Sequence, residues 1–199
     1  MKKLLVATTV LAASLFAATN AQARTDAFLF EGQVGFKTSE LTSSKNLKGY
    51  TFGLGALYKV YANPNVTLYT GGEFYYSALK RDDDRKSTIE YTLTSKQKNY
   101  DLGVKARAYF LPQNNVKPFV GLAAGYNKTT SKFLLDSSLG TSRYRSSSNR
   151  PYVAVEAGFD FAKFNVLARY ERTGYKVNID NNRVSRGVNQ LSLLAGVSY

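Results

Sequence analysis

Residues 100 to 111 read YDLGVKARAYFL. Every second position, Tyr100, Leu102, Val104, Ala106, Ala108 and Phe110, is apolar, and Asp101, Gly103, Lys105, Arg107 and Tyr109 fall between them. A period of two is that of a β-strand with two unlike faces. The same parity recurs along the chain. Phe28, Phe30, Val34 and Phe36 oppose Glu31 and Gln33. Between about Gly49 and Tyr61, Tyr50, Phe52, Leu54, Ala56, Tyr58 and Val60 oppose Thr51, Gly53, Gly55 and Lys59. Val66, Leu68, Phe74 and Tyr76 alternate with Thr67, Tyr69, Glu73, Tyr75 and Ser77. Val116, Val120, Leu122, Ala124 and Tyr126 alternate with Lys117, Gly121, Ala123, Gly125 and Asn127. Val153, Val155, Ala157, Phe159 and Phe161 oppose Tyr152, Glu156 and Asp160, and Phe164, Val166, Ala168 and Tyr170 oppose Asn165, Arg169 and Glu171. Last come Leu191, Leu193, Ala195, Val197 and Tyr199 against Gln190, Ser192, Gly196 and Ser198. The pattern predicts eight strands and no amphipathic helix.

The connections alternate as well. ANPN (62 to 65), PQNN (112 to 115) and a turn near Ala162 and Lys163 are short and carry turn chemistry. Thr38 to Lys48, Lys80 to Lys98, Lys128 to Arg150 and Arg172 to Arg186 are long and polar, so an up-and-down meander puts all short turns at one end. A soluble sandwich has no reason to sort its turns by end. An outer-membrane barrel does, with short periplasmic turns, long external loops, lipid-facing apolar positions and a polar interior. The expected fold is all-β: an eight-stranded antiparallel up-and-down transmembrane barrel. Closure leaves no unpaired strand edge in hydrocarbon. Tyr50, Tyr58, Tyr100, Phe110, Tyr126, Phe161 and Tyr170 then read as interfacial girdles.

Composition narrows this further. MKKLLVATTVLAASLFAATNAQA has two lysines, an apolar run and a small-residue AQA, the form of a secretory signal peptide. Residues 1–23 are therefore expected to be cleaved, leaving the barrel domain at 24–199. There is no cysteine, which excludes disulfides and thiolate metal sites. Residues 24–199 hold 25 basic and 14 acidic side chains, a net +11, and the four long connections together carry +10 of it. The basic excess thus belongs to the external crown.

At VKPFVGLAAGYN and at the closing NQLSLLAGVSY the chain resembles the small outer-membrane barrels that include the opacity-type surface proteins and the OmpA- and OmpX-like barrel domains. The likeness spans the expected mature chain as a pattern. It implies a porin-like, cell-surface protein of the outer membrane of a Gram-negative bacterium, with adhesion or binding of host molecules as the leading function. The alternating, aromatic-ended last segment looks like the signal read by the barrel-assembly machinery, with Tyr199 where that family more often has Phe. No peptidoglycan-binding domain is expected after it.

Inward parity collects Glu31, Lys59, Glu73, Asp101, Lys105, Arg107, Glu156, Asp160, Arg169 and Glu171, four basic and six acidic. An eight-stranded interior is just wide enough to be filled by side chains, so these charges must pair or hold trapped water. Glu31, Glu73, Glu156 and Glu171 are expected to meet Lys105, Arg107 and Arg169 near mid-height as a packed salt-bridge network. The alternative is a gated ion or proton path. Paired carboxylates inside a plugged barrel leave no room for a substrate. The chain also has no histidine, the group that barrel acyltransferases and proteases use as general base or orienting residue. No catalytic residue, cofactor or metal is expected. RDDDRK (81 to 86) is read as a solvated hairpin tip rather than a cation site, because consecutive carboxylates rarely converge on one ion. Beyond it Ile89, Tyr91 and Leu93 alternate on odd positions, which predicts a one-residue shift between Ser95 and Asn99.

The expected partners are outer-membrane lipid, lipopolysaccharide and the barrel-assembly machinery, with a polyanionic host ligand as the functional candidate and no nucleic acid. For that ligand the candidate residues are Arg143, Arg145 and Arg150 in the third long loop and Lys176, Arg183 and Arg186 in the fourth. Arginine binds sulfate, phosphate and carboxylate through paired planar donors. The apolar Phe133, Leu134 and Leu135 are the second candidate patch. A narrow channel or a passive envelope component is the rival function.

Overall fold

A computed structural model describes residues 27–40, 46–85, 91–137, 140–179 and 182–199, so the expected signal peptide lies outside the described residues. The strands are β1 (Phe28–Glu40), β2 (Leu47–Ala62), β3 (Val66–Arg85), β4 (Tyr91–Phe110), β5 (Val116–Ser137), β6 (Gly140–Phe161), β7 (Phe164–Ile179) and β8 (Asn182–Ser198). Each pairs antiparallel with the next, and β1 closes on β8 to complete a barrel. The burial order is inverted relative to a water-soluble core. Leu102 and Val104 are 68% and 66% exposed, whereas Lys105 and Arg107 beside them are each 1% exposed. Strands whose apolar side chains face outward and whose charges face inward satisfy their backbone in the ladder and their surface in lipid. All seven girdle aromatics face outward; Phe28 packs edge-on to Tyr58 and Phe36 lies 5.2 Å from Tyr50.

The short ends are built by local chemistry. Asn63 Oδ1 accepts from the N–H groups of Asn65 and Val66, which closes the β2–β3 turn. Ala162, in the two-residue β6–β7 turn, takes a left-handed φ of 57°. A bulge at Val60 shifts the β2–β3 register between Lys59 and Tyr61.

The other end departs from the sequence reading in three respects. The long connections are largely strand: β5 and β6 stay paired as far as Ser137↔Gly140, and β3 and β4 as far as Arg85↔Tyr91. Above the membrane both faces meet water, so the hydrophobic alternation fades while the hydrogen-bonded ladder continues. The shift expected between Ser95 and Asn99 does not occur, because β4 keeps one register with both β3 and β5 from Tyr91 downward. Finally, β6 pairs with β7 only from Tyr152↔Thr173 downward, so the β5–β6 and β7–β8 hairpins are not joined by strand pairing above that level.

A closed ladder of this kind resists detergent. Unheated protein in dodecyl sulfate is expected to migrate apart from boiled protein, and identical migration with helical circular dichroism would contradict the barrel.

Candidate functional site: a sealed interior and a basic outer rim

At mid-height β1, β3, β4, β6 and β7 aim charges at one another. Glu31 accepts from Lys105 Nζ at 2.5 Å and from Arg107 at 2.6 Å. Arg107 also donates through Nε to Glu156 at 2.8 Å, and its Nη2 lies 2.6 Å from the same oxygen. Arg169 grips Glu73 through both terminal nitrogens at 2.6 and 2.9 Å, and Lys105 lies 3.3 Å from Glu73. All six are buried. Glu171 sits at the margin, 3.7 Å from Arg169 Nε and 3.4 Å from Lys37 Nζ. Each carboxylate in the cluster is held by a cation, as burial of ions demands.

Rings wedge the cations in place. The Arg107 guanidinium lies 4.3 Å from the Phe119 ring centroid, and that of Arg169 lies 4.5 Å from Tyr75. Arginine stacks well on aromatic faces. Tyr152 donates to Glu73 at 2.7 Å and Tyr75 to Gln33 at 2.6 Å. On the extracellular side Lys37 bridges Asp101 and Glu171, and Asn127 donates to Asp101. On the periplasmic side Tyr109, Phe119, Leu167 and Leu194, with Leu29 and Tyr69 against them, form an apolar plug that Tyr75 joins to the network above. Lys59 and Asp160 stand beyond the plug, at the periplasmic mouth, and not in the network.

Sequence reading missed Lys37, although it continues the inward parity of Glu31 and Gln33. It also placed Tyr75, Tyr109 and Tyr152 on the inward face without assigning them work. A ring two positions from a buried charge, as in Glu73–Tyr75 or Arg107–Tyr109, was the available signal.

The external candidates divide. Arg143 and Arg145 are exposed on the outward parity of β6. Arg150 has inward parity, is half-buried, donates to Ser148 and lines the extracellular mouth with Thr173 and Gly174. The side chains of Lys176, Arg183 and Arg186 lie outside the described residues, as do those of Phe133 and Leu135 and of the acidic run Asp82 to Asp84.

The ladder reveals a second basic feature. Lys48 pairs with Lys80, Lys80 with Lys96, Lys96 with Lys132, and Lys132 with Arg145, which places five outward cations in one row across five strands. Like charges directly opposite destabilise a sheet. Closer to the membrane the spacing is regular. Lys48, Lys98, Lys128 and Arg172, all exposed, each stand two residues beyond an outward girdle tyrosine, namely Tyr50, Tyr100, Tyr126 and Tyr170. Two residues of strand place these cations roughly 7 Å beyond the rings.

The family model of the outer membrane protein beta-barrel domain matches residues 8–199. The chain belongs to this family. Its place is accordingly the bacterial outer membrane. No curated protein matches the sequence. Among solved structures, the outer membrane protease OmpT of Escherichia coli superposes with a TM-score of 0.53 at 10% identity, covering 88% of this chain and 97% of that one. The outer membrane enzyme PagL gives 0.52 at 17% identity, with 85% and 98% covered. Neisserial surface protein A gives 0.49 at 18% identity, with 86% and 95% covered. At these identities the likeness is one of fold alone, and fold does not fix function.

Proposed function

We propose that this outer-membrane barrel is a non-enzymatic surface protein that binds acidic molecules through the outward cations of its extended hairpins. The observation that carries this reading is the row Lys48, Lys80, Lys96, Lys132 and Arg145, continued upward by Arg143. Height separates two roles. Lys48, Lys98, Lys128 and Arg172, just beyond the girdle, stand at the level of phosphorylated lipid and serve lipopolysaccharide. Lys96, Lys132, Arg143 and Arg145 stand further out, where sulfated or sialylated glycans on another cell reach them. Against catalysis stands the lack of any histidine. Against a channel stand the mid-height ion pairs and the apolar plug beneath them.

Cells displaying the protein are expected to adhere to surfaces coated with a sulfated polysaccharide, and adhesion should fall as salt screens the charges. Replacing Lys96, Lys132, Arg143 and Arg145 together by Ser should abolish adhesion with the gel shift unchanged. Replacing Lys98, Lys128 and Arg172 should leave adhesion in place and loosen lipopolysaccharide retention. Unchanged adhesion in the first variant would remove the charge mechanism, and stepwise conductance in a planar bilayer would favour the channel.

A further inference from the structure

The periplasmic mouth holds a cavity of about 350 Å³ that neither the network nor the outer rim uses. Its walls include Lys59 of β2, Thr67 and Tyr69 of β3, Lys117 of β5, and Asp160 of β6 beside Ser198 of β8. Tyr109 and Leu29 close it toward the plug. Asp160 is only 5% exposed, opposite Lys117 in the ladder and beside the Tyr109 hydroxyl; one carboxylate oxygen accepts from Ser198 at 3.1 Å, and the other has no partner within hydrogen-bond distance among the described residues. A buried acceptor left unpaired costs free energy that a donor in the cavity would recover. Lys59 and Lys117 are half-buried in the same walls, and neither forms an ion pair among the described residues. Lys59 keeps the inward parity of β2, and the bulge at Val60 just beyond it turns Tyr61 out of the mouth. Bulges at barrel rims characteristically re-aim side chains in this way. The remaining nearby cation, Lys163, lies over the Tyr199 ring at 5.2 Å.

The mouth therefore presents two ammonium groups and one carboxylate with an unfilled acceptor position, beside a chamber at the lower end of ligand-pocket volumes. The complementary solute carries two carboxylates and one ammonium. We propose that the periplasmic mouth binds a free acidic amino acid, with Asp160 accepting from its ammonium and Lys59 and Lys117 donating to its two carboxylates. Charge-assisted hydrogen bonds of this type are the strong ones, and three of them fix an orientation.

Titrating L-glutamate into the refolded barrel in nonionic detergent, followed by the amide NMR signals of Thr67, Lys117 and Ser198, is expected to give saturable shifts. Glutarate, without the ammonium, and 4-aminobutyrate, without one carboxylate, should each bind about tenfold more weakly, as loss of one such contact implies. D160N should remove the preference of glutamate over glutarate, while K59Q and K117Q should weaken both. All three variants should keep the heat-dependent gel shift, so that misfolding is distinguished from lost binding. The absence of saturable shifts, equal binding of glutarate and glutamate by the unaltered protein, or a D160N variant that retains the preference would each overturn the site.

Discussion

Replacing Arg107 by Met is expected to cost about 3 to 5 kcal/mol of unfolding free energy, the range for breaking a buried ion pair from one side. Arg107 is bound at once to Glu31 and Glu156 and stacks on Phe119, so no other residue can take its place without moving both carboxylates. The sign of the imbalance makes a cation the costlier partner to remove. Lys37, Lys105, Arg107 and Arg169 face Glu31, Glu73, Asp101, Glu156 and Glu171, so the linked cluster already has one more acid than base. Loss of Arg107 widens that excess, whereas loss of Glu73 removes it. Glu73→Ala is therefore expected near the lower end of the same range, its cost coming from the stranded Arg169 and the Tyr152 hydroxyl. Urea unfolding in lipid vesicles measures all three, with Lys96→Ala as the exposed control expected within about 0.5 kcal/mol of the parent. Equal and negligible losses at Arg107, Glu73 and Lys96 would mean a wet lumen and would revive the channel.

What the sequence discloses follows from where two different solvents meet the same strand. Within the membrane one face sees lipid and the other sees protein, so Leu102, Val104 and Leu122 declare themselves outward and Glu31, Lys105 and Arg169 inward. Nothing beyond parity is needed to bring those charges together, because a barrel this narrow leaves them no alternative. Beyond the girdle both faces are wet, and parity loses its meaning. The stretch around Ser131 or Ser147 then looks like a loop although its backbone remains in the ladder. For the same reason the odd-position alternation of Ile89, Tyr91 and Leu93 predicts a shift that the unbroken β4 pairing from Tyr91 downward does not contain. Lys37 is not legible in the alternation because the apolar set of β1 ends at Phe36, one residue before it. The row from Lys48 to Arg145 is hidden for a different reason. Its members lie on five strands, and only the cross-strand register makes them neighbours.

Gly53→Val is expected to destabilise the barrel by about 3 kcal/mol, the upper end of ordinary overpacking, or to prevent refolding altogether. A Cβ at Gly53 would stand 2.2 to 2.8 Å from atoms of the Tyr75 ring. That ring cannot retreat. It carries Arg169 on its face, and its hydroxyl is committed to Gln33. The same accommodation recurs around the interior: Gly55 leaves room for Glu31, Gly121 for Glu156, and Gly103 for the Tyr152 hydroxyl. Inward glycines are thus the space into which large interior side chains fold, from the next strand or, for Tyr152, from the next but one. Glu31 and Glu156 each need a partner without a side chain as well as a partner of opposite charge. Gly72 supplies the contrast on the same sheet. It faces outward, a Cβ there would approach nothing nearer than 3.9 Å, and Gly72→Ala should be neutral or slightly stabilising because it restricts the unfolded chain. Equal tolerance of Gly53→Val and Gly72→Ala, read from refolding yield and urea midpoints, would mean that Tyr75 is free to move and that the interior is not the packed network described.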